Sequence, residues 1–335
     1  MTKQILALLE RCQGRRIAVI GDLITDQFIY GRAGRVSREA PVLVMEYEGE
    51  KLAPGGAANA VHNVKVLGGQ PFVIGVIGDD EEGEAIEHFL RTKGIDTSHL
   101  VRDPSRPTTT KKRMLASGLH TTFQQLLRMD KGVRAPVGDE VAAKLIAALN
   151  EVAGECEALV ASDYGYGVFA DPVLAHINTV GKSDWCRMLV DSRYQPLRFQ
   201  GAYLLTPNEP EAAQACQMEI NTDADVAAAA ACMITGARAR AVVVTRGKKG
   251  MYLLEQGRPG RYVPIYGTDE ISDVTGAGDT VIAAFALAAA AGAELPEAAR
   301  LATVAAGLVV LKHGTATVAP AEIRAALDLN PWPAS

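Results

Sequence analysis

The segment DVTGAGD at 273–279 places two glycines and two aspartates directly before an alanine-dominated apolar run, 281–293. The composition of this run predicts a buried helix that begins close to Asp279. A helix N-terminus presents unpaired N–H groups and partial positive charge, so it accepts either a capping carboxylate or a bound anion. Asp279 is therefore interpreted either as a helix cap or as a general base beside a phosphate cradle.

A second glycine-rich segment, PGGAANA, also precedes a helical pattern. Gly55 and Gly56 would let the backbone approach a ligand closely, and Asn59 follows at the start of the helix. Asp22 and Asp26 come just after the first apolar strand. Together these residues predict a pocket for the hydroxyl groups of a polyhydroxylated ligand, although the glycines alone are equally consistent with a capped turn.

Short apolar segments that end in glycine or polar residues alternate with helical patterns through most of the chain. The predicted strands are 16–22, 71–80, 158–165, 187–193, 202–209 and 241–247. The predicted helices are 56–68, 81–93, 138–152, 171–181, 209–216 and 223–236, after an amphipathic opening helix. This alternation indicates an α/β fold with a doubly wound, mostly parallel sheet and helices on both faces. Ligands of such folds bind at the carboxyl ends of the strands.

Two segments, 28–51 and 107–130, break the alternation because they are richer in β-branched and aromatic residues. They predict antiparallel strands inserted into the α/β scaffold, either as edge strands or as a small β lid. Both segments carry cations: Arg32, Arg35, Arg38, Lys111, Lys112, Arg113 and Arg128. A cationic lid would exclude water from a site that handles phosphate. We therefore expect one domain, 1–335, with an inserted β lid.

The composition excludes several classes of protein. A net charge of -5 without a long basic cluster argues against nucleic-acid binding. The five separated cysteines contain no Cys-x-x-Cys pair, so they indicate neither a zinc site nor a disulfide framework. The longest apolar run falls short of the roughly 20 residues that span a membrane. We expect a soluble cytoplasmic protein that binds no membrane and whose partners are small molecules or copies of itself.

The two glycine motifs occur in a wider pattern. PGGAANA and DVTGAGD stand in this order, separated by TPNEPE and VVVTRGKKG, and the four motifs together resemble the ribokinase-like (PfkB-type) carbohydrate kinases over essentially the whole chain. The resemblance implies the ribokinase-like fold, ATP as phosphoryl donor and Mg²⁺ as cofactor. The chain contains no G-x-x-x-x-G-K-[ST] motif, so the phosphate site is not a Walker A loop.

Within that family the chain looks most like the heptose 7-phosphate kinases, through GDLITDQFIYGRAGRVSREAPVLVM, QLLRMD, SDYGYG and AAGLVVLKHGTATVAP. The implied reaction is phosphorylation of the anomeric hydroxyl of D-glycero-D-manno-heptose 7-phosphate to the 1,7-bisphosphate, for lipopolysaccharide core (ADP-heptose) synthesis. The chain departs from that pattern at Asp191-Ser192-Arg193, where Asp-Pro-Lys is expected, and in LASGLHTTFQQ. It has no His-x-Gly-His motif, so we expect the adenylyltransferase activity often fused to such kinases to reside in another protein.

The resemblance also implies roles for individual residues. Asp279 would be the catalytic base, and the backbone N–H groups of Gly276, Ala277 and Gly278 would stabilise charge on the transferring phosphoryl group. Asn208 and Glu211 would organise Mg²⁺ through water, unless they only cap a helix. The nucleotide side would comprise Asn208, Thr245, Gly247, Lys312, His313 and Gly314. The acceptor side would comprise Asp22, Asp26, Gly55, Gly56 and Asn59, with Lys112, Arg113 and Arg128 for its phosphate.

The predicted lid has an apolar face that includes Val42, Val44 and Met45, which a single molecule would cover poorly. We therefore expect a two-fold homodimer in which two lids pack together. Alternatives are a ribokinase-family kinase for another sugar or nucleoside, and a non-catalytic sugar- or nucleotide-binding regulator. Intact Asp279 and glycine motifs disfavour the regulator. The acceptor sugar, its reacting hydroxyl, a monovalent-cation requirement and the cations that bind phosphate stay open at this level.

Overall fold

The computed structural model describes residues 1–117, 123–181, 186–267, 273–312 and 314–332. Its strands are β1 (Arg16–Gly21), β2 (Leu23–Val36), β3 (Leu43–Gly56), β4 (Gln70–Ile77), β5 (Leu100–Arg102), β6 (Thr109–Ser117), β7 (Gln124–Lys131), β8 (Ala158–Asp163), β9 (Arg187–Ser192), β10 (Leu204–Leu205), β11 (Ala241–Thr245), β12 (Met251–Glu255) and β13 (Arg261–Val263). Its helices are α1 (Thr2–Arg11), α2 (Ala57–Val66), α3 (Glu81–Thr92), α4 (Asp139–Ala153), α5 (Asp171–Val180), α6 (Glu209–Cys216), α7 (Asp223–Ala237), α8 (Ala277–Ala290), α9 (Leu295–Val309) and α10 (Pro320–Leu329).

The main sheet has the strand order β13-β12-β11-β10-β9-β8-β1-β4-β5 within the described ranges. The strands from β11 to β5 in this order pair in parallel, and β12 and β13 form an antiparallel edge. Every strand and helix predicted from the sequence is present within a few residues of its expected bounds. The doubly wound α/β fold is therefore confirmed.

Helices cover both faces of the main sheet because its central strands are apolar on both sides. Ile17 and Val19 of β1 belong to one hydrophobic core, and Ala18 and Ile20 of the same strand belong to the other. The first core includes α1, α2, α8 and α9, and the second includes α4, α5 and α7. In α8 the buried residues run without a gap from Asp279 to Ala289, as the apolar run predicts.

The order of the central strands creates a crevice. The chain passes from β1 to β4 on one side and returns later to β8 on the other side of β1. At such a switch point the connections leave in opposite directions, which opens a ligand site beyond the carboxyl ends of the strands. Asp22 follows β1 at this edge, Tyr164 follows β8, and Asp191 lies near the end of β9.

A second sheet of order β3-β2-β6-β7, called the β lid below, contains most of the two segments that break the alternation. β2 pairs with β3 and β6 with β7 in antiparallel fashion, but β2 and β6 are parallel. The expectation of antiparallel strands was therefore wrong for the central pair. β2 follows β1 and β6 follows β5, two parallel strands of the main sheet, so both lid strands leave the body in the same direction.

No helix in the described part of the chain is long and apolar enough to cross a membrane. The five cysteines are free thiols, and Cys12, Cys156 and Cys186 are buried. Burial raises the pKa of each of these three to about 12. Thiols that hold their protons in this way are poor nucleophiles and poor metal ligands, so we assign these three a packing role.

Candidate active site

A cavity of about 520 Å³ lies at the carboxyl edge of the main sheet and is also lined by the β lid. The lid contributes polar residues, Asp26 among them, and the ends of β8 to β11 contribute others, such as Tyr164 and Thr245. A further part of the wall is apolar or small, and comes from Met251, Ile265, Ala306, Gly307 and Val310. The Gly276–Asp279 turn belongs to the same wall. The cavity thus offers a polar region beneath the lid and an apolar region suited to a flat base.

The N-terminus of α8 provides backbone donors at this wall. Gly276 caps the helix with φ 80°, and a side chain at that position would meet the amide of Asn59, so glycine is required there. The Ala277 N–H donates to the carbonyl of Val274 at 3.2 Å. For the N–H groups of Gly276 and Gly278, no acceptor is found among the described residues. Two of the three predicted anion-binding donors are therefore available to a ligand.

Asp279 is buried, and both oxygens of its carboxylate accept hydrogen bonds. Oδ2 accepts from the amide of Asn59 at 2.7 Å, and Oδ1 accepts from the hydroxyl of Tyr164 at 3.0 Å. Burial raises the pKa of Asp279 to about 6, while the two donors oppose that rise. A carboxylate has about four lone-pair positions, so an acceptor hydroxyl can still bind. At neutral pH the group is ionised and competent as a general base.

Asn59 belongs to a buried polar chain rather than to the cavity wall. Asn63 donates to the backbone oxygen of Asn59 at 2.9 Å, and Thr280 Oγ1 donates to Asn63 Oδ1 at 2.8 Å. Asn59 and Asn63 are both fully buried. These hydrogen bonds fix the rotamer of Asn59 and hence the direction of the Asp279 carboxylate. Asn63 was missed from the sequence, although its spacing of one helical turn after Asn59 is a usable signal.

Of the other residues predicted to bind the acceptor, some line the cavity and others support its wall from behind. Asp22 is buried, and its carboxylate accepts from the backbone N–H groups of Tyr164, Tyr166 and Val168 at 2.8, 3.1 and 3.4 Å. Burial raises its pKa to about 6 against the effect of these donors. Asp26 and Gly56 line the cavity. Gly55 lies behind it, where the absence of a side chain leaves room for the Asp26 carboxylate.

The register of the lid decides which cations face the cavity. Lys111 of β6 is paired with Asp26 of β2 and Asp130 of β7, and the next residues of these strands form a row on the opposite face. Lys112, in that second row, lies 3.3 Å from Glu82 of α3 and does not line the cavity. The predicted placement of Lys112 beside a ligand phosphate is therefore not supported, whereas its neighbour Lys111 lines the cavity.

Three lid cations line the cavity: Lys111, Arg113 and Arg128. Arg113 forms an ion pair with Asp26, and Arg128 donates to Asp130 at 2.7 and 2.5 Å. Lys111 is buried, and among the described residues no carboxylate lies within ion-pair distance of its amino group. Burial lowers its pKa to about 8. A buried ammonium group without a counterion favours an anionic ligand.

Asp191, in β9, and Arg193, directly after it, belong to the segment that departs from the pattern of the heptose 7-phosphate kinases. The sequence predicts no role for either residue. Both line the cavity. Burial, followed by the charges of Glu211 and Asp279, raises the pKa of Asp191 well above its ordinary value. Burial also raises the pKa of Glu211. Arg193 and a further cation would offset this concentration of negative charge.

Of the residues predicted to bind the nucleotide, some line the cavity and others make contacts elsewhere in the protein. Asn208, Thr245 and Gly247 line the cavity, together with Lys248 and Thr315, which had been missed. Lys312 instead contacts Glu322 at 2.5 Å and the backbone oxygen of Thr317 at 2.7 Å. The Gly314 N–H donates to Asp273 at 2.9 Å, which ties this turn to the DVTGAGD segment. His313 lies outside the described residues.

A family model described as pfkB family carbohydrate kinase matches residues 15–322. The chain belongs to this family. It is therefore a phosphotransferase that acts on a sugar hydroxyl, and such kinases use ATP with Mg²⁺. The predicted family, reaction class and cofactors are confirmed.

Curated relatives extend the comparison. The bifunctional protein HldE of Gluconacetobacter diazotrophicus is 39% identical over 313 residues, and that of Geotalea uraniireducens is 38% identical over 322 residues. These alignments cover 93% and 96% of this chain but 63% and 64% of the relatives. The chain therefore spans less than two thirds of their length.

Two solved structures share the fold. Phosphofructokinase-2 from Escherichia coli, in complex with substrates and products, superposes with a TM-score of 0.77. Ribokinase from Arabidopsis thaliana, complexed with ribose and ATP, superposes with a TM-score of 0.71. Each is 19% identical to this chain, and each comparison covers 94% of this chain and 99% of the other. At this identity the similarity supports the ribokinase-like architecture alone.

The residues on the cavity wall fit Mg²⁺. Asn208 caps α6 by accepting from the Glu211 N–H at 2.8 Å, and Glu211 accepts from the Asn208 N–H at 2.9 Å. Both side chains also line the cavity, so the capping role and a metal role are compatible. The described residues include no group of three or more His, Cys, Asp or Glu that could hold a metal. Such a donor set suits Mg²⁺, which keeps several waters and takes other ligands from substrate phosphates.

Proposed function

We propose that residues 1–335 form one kinase domain that phosphorylates the anomeric hydroxyl of D-glycero-D-manno-heptose 7-phosphate, in the cytoplasm, for ADP-heptose synthesis. Similarity to the HldE relatives over most of the chain supports this choice of sugar. The observation that carries it is the buried amino group of Lys111 beside Arg113 and Arg128 on the lid wall of the cavity. Three cations in this position suit an acceptor that already carries a phosphate.

In this reaction different residues of the chain bind the acceptor, accept its proton and stabilise the transferring group. Asp26 and Gly56 contact the sugar, the lid cations hold its phosphate, and Asp279 accepts the proton of the anomeric hydroxyl. The N–H groups of Gly276 and Gly278 stabilise charge on the transferring phosphoryl group. Mg²⁺ supplies countercharge to the ATP phosphates. The apolar region near Met251 and Gly307 receives the adenine.

A coupled ADP-release assay tests the choice of acceptor. We expect kcat/KM for D-glycero-D-manno-heptose 7-phosphate to exceed that for the unphosphorylated heptose by on the order of 10²-fold, because the free sugar offers no anion to the buried amino group of Lys111. Ribose and fructose 6-phosphate serve as comparison acceptors. Phosphorus NMR of the product should show an anomeric phosphate. Faster turnover of either comparison acceptor, or phosphorylation at another hydroxyl, would contradict the proposal.

We also propose a homodimer formed through the β lids. The lid face opposite the cavity carries Leu52, Leu127 and Met129, whose exposed fractions are 39%, 54% and 50%. At the tip of the first hairpin Val42 is also exposed, whereas Val44 and Met45 are half-buried. Apolar side chains on one exposed sheet face favour burial against a second copy of the same face.

The variant Leu127→Lys should convert the dimer to a monomer, because it places a charge within the apolar lid face. Light scattering should give twice the chain mass for the wild type and a single chain mass for the variant. Leu329→Lys is the matched control, because Leu329 is 89% exposed at the end of α10 and lies outside the lid. A monomeric wild type at micromolar concentration, or a dimeric Leu127→Lys variant, would contradict the arrangement.

A further inference from the structure

Tyr164 lines the cavity beside Asp279, and neither the sequence motifs nor the proposed reaction gives it a role. It follows β8, and its hydroxyl donates to Asp279 Oδ1 at 3.0 Å. Asp22 holds the loop that carries it by accepting from three backbone N–H groups between Tyr164 and Val168. Tyr164 lies in the motif SDYGYG and within the predicted strand 158–165, but the sequence alone predicts no role for its side chain.

Two cations from different elements contact the ring of Tyr164. The amino group of Lys111, on β6 of the lid, lies 4.8 Å from the ring centroid. The guanidinium carbon of Arg193, just after β9, lies 4.6 Å from it. Cation–π contacts of this kind strengthen when the groups are shielded from water. They restrain the ring and so restrain the direction in which its hydroxyl points.

The hydroxyl of Tyr164 keeps its proton in this environment. Burial, followed by the negative charges of Asp279 and Asp191, raises the pKa of Tyr164 well above its ordinary value. Tyr164 is therefore a hydrogen-bond donor to Asp279 and not a second base. Asp279 is also influenced by Asn59 as a donor, by Arg193 as a nearby cation and by Asp26 as a nearby anion. Asp191 lies close enough for the charge of Asp279 to raise its pKa, so it is a further carboxyl group that faces the base.

We propose that Tyr164 is the positioning residue of the catalytic base, and that it links the orientation of Asp279 to the lid through Lys111 and to the end of β9 through Arg193. The proposal rests on the assignment of Asp279 as the base. During transfer the acceptor O–H bond breaks and its proton passes to Asp279. The acceptor oxygen forms the new bond to phosphorus, and ADP leaves with the electrons of the broken P–O bond. Tyr164 neither gains nor loses a proton.

Tyr164→Phe tests the hydroxyl while it preserves the ring and both cation contacts. We expect kcat to fall roughly 10-fold at its pH optimum, because the base loses one of its two fixed hydrogen bonds. The KM for ATP should stay within about twofold of the wild type, because the hydroxyl contacts the base and not the nucleotide. The far-ultraviolet circular dichroism and Tm should remain close to those of the wild type.

The pH profile separates this role from a purely structural one. A base active only when ionised loses activity as the pH falls through its pKa, which burial places at about 6 for Asp279. Removing a donor to the ionised carboxylate raises that pKa, so the acidic limb of Tyr164→Phe should move to higher pH. The wild-type near-ultraviolet tyrosine difference spectrum should titrate with the same midpoint as the acidic limb, and the signal should be absent from the variant.

Tyr166→Phe is the matched control, because its ring contacts Arg134 and it does not line the cavity. It should keep the wild-type kcat and acidic limb. An unchanged kcat and limb in Tyr164→Phe, or equal changes in both variants, would overturn the proposal. The Asp279→Asn variant distinguishes a failure of the base assignment from a failure of the role proposed for Tyr164. If it retains normal turnover, the base assignment fails, whereas an inactive Asp279→Asn beside an unchanged Tyr164→Phe overturns only the role of Tyr164.

Discussion

Asp279→Asn should reduce kcat on the order of 10²–10⁴-fold, because the amide has no site that takes up the acceptor proton. Such a loss corresponds to about 3–5 kcal/mol of transition-state stabilisation. The substitution preserves the size of the side chain at the start of α8. Its oxygen can still accept from Tyr164 or from Asn59. We therefore expect the variant to fold and to bind ATP with near-normal affinity by isothermal calorimetry.

The matched control is Asp328→Asn, which makes the same chemical change at an exposed position of α10. This control should show unchanged kcat and KM. Measurement of single turnover with preloaded ATP would separate the chemical step from product release. Turnover of Asp279→Asn within a fewfold of the wild type would remove Asp279 from the role of base.

The fold could be predicted well because its signals are local. Each central strand is a short apolar run that ends in polar or glycine residues, and the helices show either an amphipathic period, as in α1, or a continuous apolar run, as in α8. The range 16–22 and the observed β1 differ by one residue, and the predicted 209–216 coincides with α6. The lid was recognised by composition, but its parallel β2 and β6 pair depends on where both strands leave the main sheet, which is a property of the assembled fold.

The candidate site was predicted only in part, because contacts between distant residues decide which groups face the cavity. Asn59 and Asp279 are separated by 220 positions and meet through a hydrogen bond. Asn59 was predicted as a sugar ligand, but this contact makes it a support for the Asp279 carboxylate. Asp22 changes in the same way, because the loop after β8 returns to its carboxylate. No pattern within one glycine motif contains this information.

The side of the lid on which each cation lies, by contrast, follows from the sequence alone through the alternation of side chains along a strand. Adjacent residues of a strand point to opposite faces, so Lys112 and Arg113 cannot both face the cavity. Once Arg113 is placed there, the same rule selects Lys111. The pairing of Lys111 with Asp26 and of Arg113 with Phe28 shows this register. The exposed apolar residues of the opposite face follow from the same alternation.

Lys111→Met should lower kcat/KM for a phosphorylated acceptor roughly 10–10²-fold, because a charge-assisted hydrogen bond to a buried group is lost. Methionine retains an unbranched side chain that can pack against the ring of Tyr164. The KM for ATP should change much less, because Lys111 belongs to the lid and not to the apolar wall. Removal of a buried ammonium group without a counterion should also leave the Tm of the free protein unchanged or raise it.

The pH dependence of the KM for the phosphorylated acceptor, compared between the wild type and Lys111→Met, tests the same role of Lys111. Burial lowers the pKa of Lys111 to about 8, so in the free enzyme the charge is present below that pH and is lost as the pH rises through it. The KM of the wild type for the phosphorylated acceptor should therefore rise above about pH 8, and this rise should be absent from Lys111→Met.

Lys112→Met is the control that the register provides, since it removes the same charge from the neighbouring residue on the opposite face. Lys112 contacts Glu82 and lies away from the cavity, so its loss should change kcat/KM less than about twofold, as partly exposed ion pairs contribute little. Equal losses in the two variants would show that lid charge acts at long range, and a larger loss in Lys112→Met would reverse the assignment of the faces. A large effect confined to Lys111→Met would place the acceptor's phosphate on the row of the lid that Lys111 shares with Asp26.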